Sequence, residues 1–202
     1  MKRLGILGGT FNPPHNGHIY IAKQAMCGAK LDKVVFLPCG NPPHKAVEGE
    51  VAPEIRLEMT QLAIEDEPQF ELCDMEIKST EKSYTANTLK RLKGIYPGFK
   101  LCFIVGGDSL NDLEKWYHPE VILSLAEIVA VSRKGFELSA AKEKADFYRK
   151  KYNAEITLVD VEPMDISSSE IRDMIRKGKS AASFISEKVL DYIKINGIYK
   201  EA

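Results

Sequence analysis

The chain predicts an α/β fold, a doubly wound and mainly parallel sheet with helices on both faces. Two observations carry this. Short apolar runs alternate along the 202 residues with segments whose apolar positions recur at helical spacing. Two of those runs end in paired glycines, Gly8-Gly9 and Gly106-Gly107, and sheets of this class bind ligands beyond the carboxyl ends of their strands.

Arg3 to Leu7 reads as a buried strand. Gly17 to Met26 follows as a helix with Ile19, Ala22 and Met26 on one stripe and Gly28 as its stop. Lys33 to Leu37 is the next strand, so the first three elements form a βαβ unit with parallel strands and a right-handed crossover. Pro38 to Pro53 is a long loop rich in Pro and Gly, either a solvated surface segment or a functional flap. A helix from Glu54 to Glu65 carries Ile55, Met59, Leu62 and Ala63. Phe70 to Cys73 is a short strand, Ile77 to Ser83 a loop, and Tyr84 to Tyr96 a helix stopped by Pro97-Gly98. Lys100 to Val105 is the most apolar strand. Pro119 to Ser124 forms a short helix, Glu127 to Ser132 a strand, Leu138 to Tyr152 a charged helix, and Glu155 to Val159 a short strand. Ser167 and Glu170 have capping-box spacing, which places an N-cap at Ser167 of a helix carrying Ile171, Met174 and Ile175 and ending at Gly178. A final helix spans Ser186 to Ile195. We expect one domain over 1–202, with a helical C-terminal part from about 166.

Composition narrows the class. A 44% hydrophobic and 28% charged content is ordinary for a globular chain. A net charge of -1 argues against bulk nucleic-acid binding and against an anionic membrane surface. No apolar run approaches the roughly 18 residues of a membrane span. Cys27, Cys39, Cys73 and Cys102 show no C-x-x-C spacing. They read as reduced thiols in a cytoplasmic protein, with zinc a weak alternative. A homo-oligomer is compatible with the sequence, and no metal ligand set is expected.

The chemistry concentrates in Gly8-Gly9-Thr10-Phe11-Asn12-Pro13-Pro14-His15-Asn16-Gly17-His18. Glycines let backbone approach a ligand, and Pro13-Pro14 predicts an extended connection. His15 and His18 fall on one face of a first helical turn, whose free N–H groups and dipole suit an anion. Two histidines at this spacing are also compatible with surface residues or a metal pair. Ser167, Ser168, Ser169 and Arg172 form a second set. A well-capped helix accounts for Ser167 and Glu170 alone; three hydroxyls and a guanidinium at a helix N-terminus match a polyphosphate. Lys115-Trp116-Tyr117 places the single tryptophan after the second glycine turn, either as core packing or as a flat surface for a flat ligand.

These strings resemble the nucleotidyltransferase superfamily, whose motifs are H-x-G-H and I-S-S-T-x-I-R. Here they stand as His15-Asn16-Gly17-His18 and Ile166 to Arg172, with Ser169 at the Thr position and Asn12 where many members carry Asp. The resemblance extends through Pro42-Pro43-His44-Lys45, Ser83-Tyr84-Thr85, Gly106 to Asp108 and Lys115-Trp116-Tyr117 to the bacterial nicotinate mononucleotide adenylyltransferases. It implies a Rossmann-like nucleotidyltransferase fold and transfer of AMP from ATP to nicotinate mononucleotide, giving deamido-NAD and pyrophosphate without a covalent intermediate. It implies ATP at Gly8, Gly9, Thr10, Phe11, His15, His18, Ser167, Ser168, Ser169 and Arg172. The mononucleotide would lie at His44, Lys45, Ser83, Tyr84, Thr85, Gly106, Asp108, Trp116 and Tyr117. The tryptophan would stack on the pyridine ring, backbone N–H groups near Thr85 and Tyr117 would take the carboxylate, and Asp108 would take ribose hydroxyls. His15, His18, Arg172 and Lys45 would be the catalytic residues, and Mg2+ would arrive with ATP, held by phosphate oxygens and water. Two alternatives stand beside this reading: pantetheine-phosphate adenylyltransferase, and a regulatory nucleotide-binding module without turnover.

Overall fold

A computed structural model describes residues 1–42, 51–133, 136–162 and 164–200. His44 and Lys45 lie outside these residues. The described chain forms a six-stranded sheet in the order β3-β2-β1-β4-β5-β6, the doubly wound order in which the strand sequence reverses beside β1. The strands are β1 (Lys2–Gly9), β2 (Lys33–Pro38), β3 (Phe70–Leu72), β4 (Phe99–Gly106), β5 (Glu127–Arg133) and β6 (Ile156–Val161). The helices are α1 (Asn16–Gly28), α2 (Pro53–Ile64), α3 (Thr85–Ile95), α4 (Gly107–Asp112), α5 (Pro119–Leu125), α6 (Phe136–Tyr152), α7 (Ser168–Arg176) and α8 (Glu187–Ile195), with a 3-10 turn at Leu113–Lys115.

The backbone clusters into two compact units, each drawn from separated stretches of sequence. The first comprises Met1–Leu7, Ile21–Val35 and Ser83–Pro163. Within it β1 pairs with β4, β4 with β5 and β5 with β6, all parallel, with Leu4 opposite Leu101 and Val129 opposite Thr157. Consecutive residues Leu101 to Val105 are all buried, because helices cover a parallel sheet on both faces. Gly5 is required by packing: a Cβ there would meet Leu31 at 2.7 Å and Ile104 at 3.1 Å.

The amino ends of these strands hold a charge cluster. Glu127 is buried and accepts from Arg3 at 2.8 Å, Lys100 at 2.8 Å and Thr157 at 2.7 Å. Lys100 also pairs with Glu155. Burial opposes the charge on Glu127, but these three donors outweigh it and bring its pKa down to about 2.

The second unit comprises Gly8–Tyr20, Phe36–Lys82 and Met164–Ala202. Its core joins Val51, Met59, Ile171, Ala181, Ile185, Val189, Ile193, Ile198 and Tyr199. The capping box forms: the Ser167 hydroxyl accepts from the Glu170 N–H at 3.2 Å and donates to its carboxylate at 2.7 Å. Gly178 after α7 and Gly197 after α8 have φ of 66° and 63°, the left-handed conformation that glycine tolerates at helix ends.

Two local expectations are corrected. The segment after Gly106 is helix α4, because Gly106 and Gly107 are followed by a continuous Asp108 to Asp112 turn with Leu110 buried beneath it. The link at Asn12–Pro13 is bent rather than extended, its peptide bond being cis. The fully buried residues of α2 are Arg56, Met59, Thr60 and Ile64, and the expected stripe is borne out: Ile55, Leu62 and Ala63 are partly buried and pack on the same core as Met59.

Candidate functional site

Within the second unit, the turn after β1 is built around Phe11. Its ring is buried, lies 5.0 Å from His18 edge-on and 5.7 Å from Phe36, and a Cβ on Gly9 would press it at 3.1 Å. Gly9 therefore makes room for a side chain of its own turn. Phe11 itself has φ 49°, an uncommon conformation for a bulky residue.

His15 precedes α1 and His18 lies in its first turn. Their rings are 3.8 Å apart at 32°. The His15 main-chain N–H donates to His18 Nδ1 at 3.1 Å, so the proton of the neutral His18 ring sits on Nε2. Burial pushes the His15 pKa down to about 4; for His18, burial and then the neighbouring His15 push it well below the ordinary value. Both rings are neutral at pH 7, so each carries one ring N–H and no positive charge. Gly17 between them is sterically required: a Cβ would meet the His15 ring and Ile166 Cγ2, each at 2.9 Å.

Helix α7 is fastened to the same turn. Arg172 is buried, donates to the Asn12 carbonyl at 2.8 Å and to Ser169 Oγ at 3.1 Å. Ser168 donates to the Pro13 carbonyl at 2.9 Å. Tyr199 donates to Asn12 Oδ1 at 2.5 Å, so the amide oxygen of Asn12 supplies an acceptor within a neutral side chain. Ser167 is engaged in its cap and Ser168 in its carbonyl bond, while Ser169 is exposed and accepts from Arg172.

The turn thus has two sequence-distant anchors that local reading missed. Tyr199 lies 187 residues from Asn12. Arg56 donates to the Thr10 carbonyl at 2.7 Å across 46 residues. The one sequence signal for Arg56 was its place at i−3 and i−4 from Met59 and Thr60 on a helix face.

In the first unit, the other predicted residues gather by aromatic contact. The rings of Tyr84 and Tyr117 stack at 4.4 Å and 34°. Trp116 is half-buried with its edge against Phe103 on β4, 6.1 Å at 74°. Ser83 and Tyr84 lead into α3, which begins at Thr85, so free N–H groups of its first turn lie beside the tyrosine pair. Asp108 is exposed in the first turn of α4, directly after Gly106 at the carboxyl end of β4. Among the described residues, no cluster of three His, Cys, Asp or Glu side chains is arranged to hold a metal. No helix among them is long and apolar enough to cross a membrane.

A family model described as cytidylyltransferase-like matches residues 6–174, from the end of β1 to α7. A Clostridium tetani protein named "probable nicotinate-nucleotide adenylyltransferase" is 40% identical over 200 residues, 99% of this chain and 100% of the relative. This chain belongs to the nicotinate-nucleotide adenylyltransferase family. A Clostridium acetobutylicum protein of the same name is 41% identical over 199 residues, covering 98% of this chain and all of the relative. The fold is similar to that of Plasmodium falciparum nicotinic acid mononucleotide adenylyltransferase complexed with NaAD, with a TM-score of 0.80, 20% identity and 98% coverage of both chains. The same parasite protein complexed with APC gives a TM-score of 0.76 at 19% identity, again covering 98% of each chain. Family membership and the doubly wound sheet both agree with the expectations from sequence.

Proposed function

We propose that this chain transfers AMP from MgATP to nicotinate mononucleotide, releasing pyrophosphate and forming deamido-NAD. The observation that carries the reading is the neutral, stacked His15–His18 pair beside an Arg172 fastened to the same turn. Neutral donors with one guanidinium suit a polyphosphate that brings its own magnesium. The full-length relatives at 40% and 41% identity, named for nicotinate-nucleotide adenylyl transfer, support the acceptor.

The step is an in-line displacement. A phosphate oxygen of the mononucleotide attacks the α-phosphorus of ATP, the bond to the bridging oxygen breaks, and pyrophosphate leaves with the electron pair. Catalysis of this kind is mainly positioning and charge stabilisation. His15 and His18 donate to phosphate oxygens, and Ser169 and the α7 N-terminus add donors. Arg172 opposes the charge gathering on the departing pyrophosphate. His44 and Lys45 belong to the same proposal as groups brought to the phosphates. Trp116 supplies the face for the pyridine ring, Thr85 and Tyr117 backbone N–H groups the carboxylate contact, and Asp108 the ribose contact. A carboxylate accepts from N–H donors whereas the amide NH2 of the nicotinamide analogue cannot. Magnesium enters as part of MgATP, consistent with a donor set rich in N–H and O–H groups and poor in carboxylates. The reduced thiols of Cys27, Cys39, Cys73 and Cys102 fit a reducing, cytoplasmic setting.

The test is pyrophosphate release with MgATP and, in parallel, nicotinate mononucleotide, nicotinamide mononucleotide and phosphopantetheine. The acid mononucleotide is expected to turn over fastest. Turnover of phosphopantetheine alone would make the chain a pantetheine-phosphate adenylyltransferase. ATP binding without pyrophosphate release from any acceptor would leave a binding module.

A further inference from the structure

Arg56 is fully buried at 0% exposure. Its only side-chain hydrogen bond among the described residues runs from one terminal nitrogen to the Thr10 carbonyl at 2.7 Å. Its Nε and second terminal nitrogen are buried with no partner among the described residues. A buried guanidinium is usually paired with a carboxylate, because desolvation is otherwise uncompensated. A neutral side chain of similar length would pack the same position without that cost. The charge is therefore doing something that packing does not require.

The geometry of the turn shows where it acts. Thr10 and Asn12 flank the left-handed Phe11, and the two carbonyls are each held by a guanidinium, Arg56 on Thr10 and Arg172 on Asn12. The Thr10–Phe11 peptide is planar and trans, so its C=O and N–H point in opposite directions. Pinning the Thr10 carbonyl onto Arg56 therefore aims the Phe11 N–H away from Arg56. A positive charge on the carbonyl oxygen also polarises the peptide and strengthens its N–H as a donor. Beyond Asn12 the turn offers no further main-chain donor until His15, since Pro13 and Pro14 have no N–H.

We propose that Arg56 is a positioning residue for polyphosphate binding, acting through the Thr10–Phe11 peptide to aim and strengthen the Phe11 N–H as an anion donor. This rests on the reading of the Gly8 to His18 turn as the phosphate site. It gives Arg56 a role that contact with ligand would never reveal, because the side chain is sealed behind the backbone it holds.

The experiment compares wild type with Arg56→Met, Arg56→Lys and Ile193→Val as full chains. It measures thermal midpoint, KM for ATP and for nicotinate mononucleotide, and pyrophosphate affinity by calorimetry. Arg56→Met removes charge and bond while keeping an apolar stem. It is expected to raise KM for ATP and weaken pyrophosphate at least tenfold, while KM for the mononucleotide changes less than threefold. Arg56→Lys keeps the charge and is expected to recover part of the loss. Ile193→Val, which loosens the core of the same unit, is expected to lower the midpoint with both KM values unchanged. Should Arg56→Met fail to fold, Arg56→Lys against Ile193→Val gives the same comparison, the lysine variant alone losing ATP affinity. Unchanged ATP and pyrophosphate affinity in a folded Arg56 variant would overturn the role, as would affinity losses that follow the midpoint equally in all variants. The functional reading fails separately: it falls if wild type binds pyrophosphate but releases none from ATP with any pyridine mononucleotide, and the Arg56 effect on pyrophosphate affinity would survive that result.

Discussion

The His15 main-chain N–H donates to Nδ1 of His18 at 3.1 Å, and this bond decides which nitrogen of the His18 ring carries the proton. Nδ1 is consumed as an acceptor, so Nε2–H is the donor. His18→Ala should lower kcat/KM by about a hundredfold or more, in line with loss of a donor to developing charge, while the thermal midpoint moves little. His18→Asn, a neutral donor, should retain more activity than His18→Asp. Equal losses of activity and stability in the alanine variant would make the histidine structural.

The same pair makes a pH prediction. The folded His15 pKa is about 4 against an ordinary 6.5, and His18 is shifted in the same direction. Between those values the unfolded chain binds more protons than the folded one, so stability falls as pH drops from 6.5 toward 4. Activity should show no histidine titration between pH 6.5 and 8. Chemical denaturation across this range, repeated on His15→Gln, checks it: the variant should lose part of the slope below pH 6.5.

Glu127, at the start of β5, gives a second control in a lower pH window. Its carboxylate, held to about 2 by Arg3, Lys100 and Thr157 despite burial, contributes stability present above pH 4.5 and lost as pH falls toward 2. Glu127→Gln should lower stability at pH 7 by about 1–3 kcal/mol and flatten the acid limb of the stability curve. Its kcat should remain near wild type, because the cluster lies at the amino ends of the strands. A large fall in kcat would contradict the assignment.

Trp116 stands half-buried with its edge on Phe103. Trp116→Ala should raise KM for nicotinate mononucleotide about tenfold, the equivalent of roughly 1.4 kcal/mol, with a much smaller change for ATP. Trp116→Phe should be intermediate. Equal changes for the two substrates would remove the stacking role.

Two glycines separate a functional from a structural cost. A Cβ on Gly17 would press the His15 ring at 2.9 Å, so Gly17→Ala should cost activity well before it costs the fold. A Cβ on Gly40 would stand 2.0 Å from the Glu76 carbonyl oxygen, backbone that has nowhere to go. Gly40→Ala should destabilise by about 3 kcal/mol or more. Thermal midpoints and pyrophosphate release measured on both variants would distinguish the two.

Much of the molecule is legible in the sequence alone. Strand and helix periods are local properties, so the alternation and the parallel sheet could be read directly. The Ser167–Glu170 box is a four-residue pattern and formed as expected. The glycine-proline-histidine string and the Ile166 to Arg172 segment carried the family resemblance, and Trp116-Tyr117 the expected acceptor.

What the tertiary structure alone decided concerns pairs far apart in the chain. Sequence could place Arg56 on a helix but could not say that it meets Thr10, nor that Tyr199 reaches Asn12. It could name Ser167, Ser168 and Ser169 as donors but not reveal that the first two are occupied by a cap and by Pro13. It marked His15 and His18 as a pair, while their neutrality followed from burial and the His18 tautomer from one backbone bond. The reason is physical: residue type and spacing determine local conformation, whereas desolvation and hydrogen-bond partnership depend on which distant surfaces pack together.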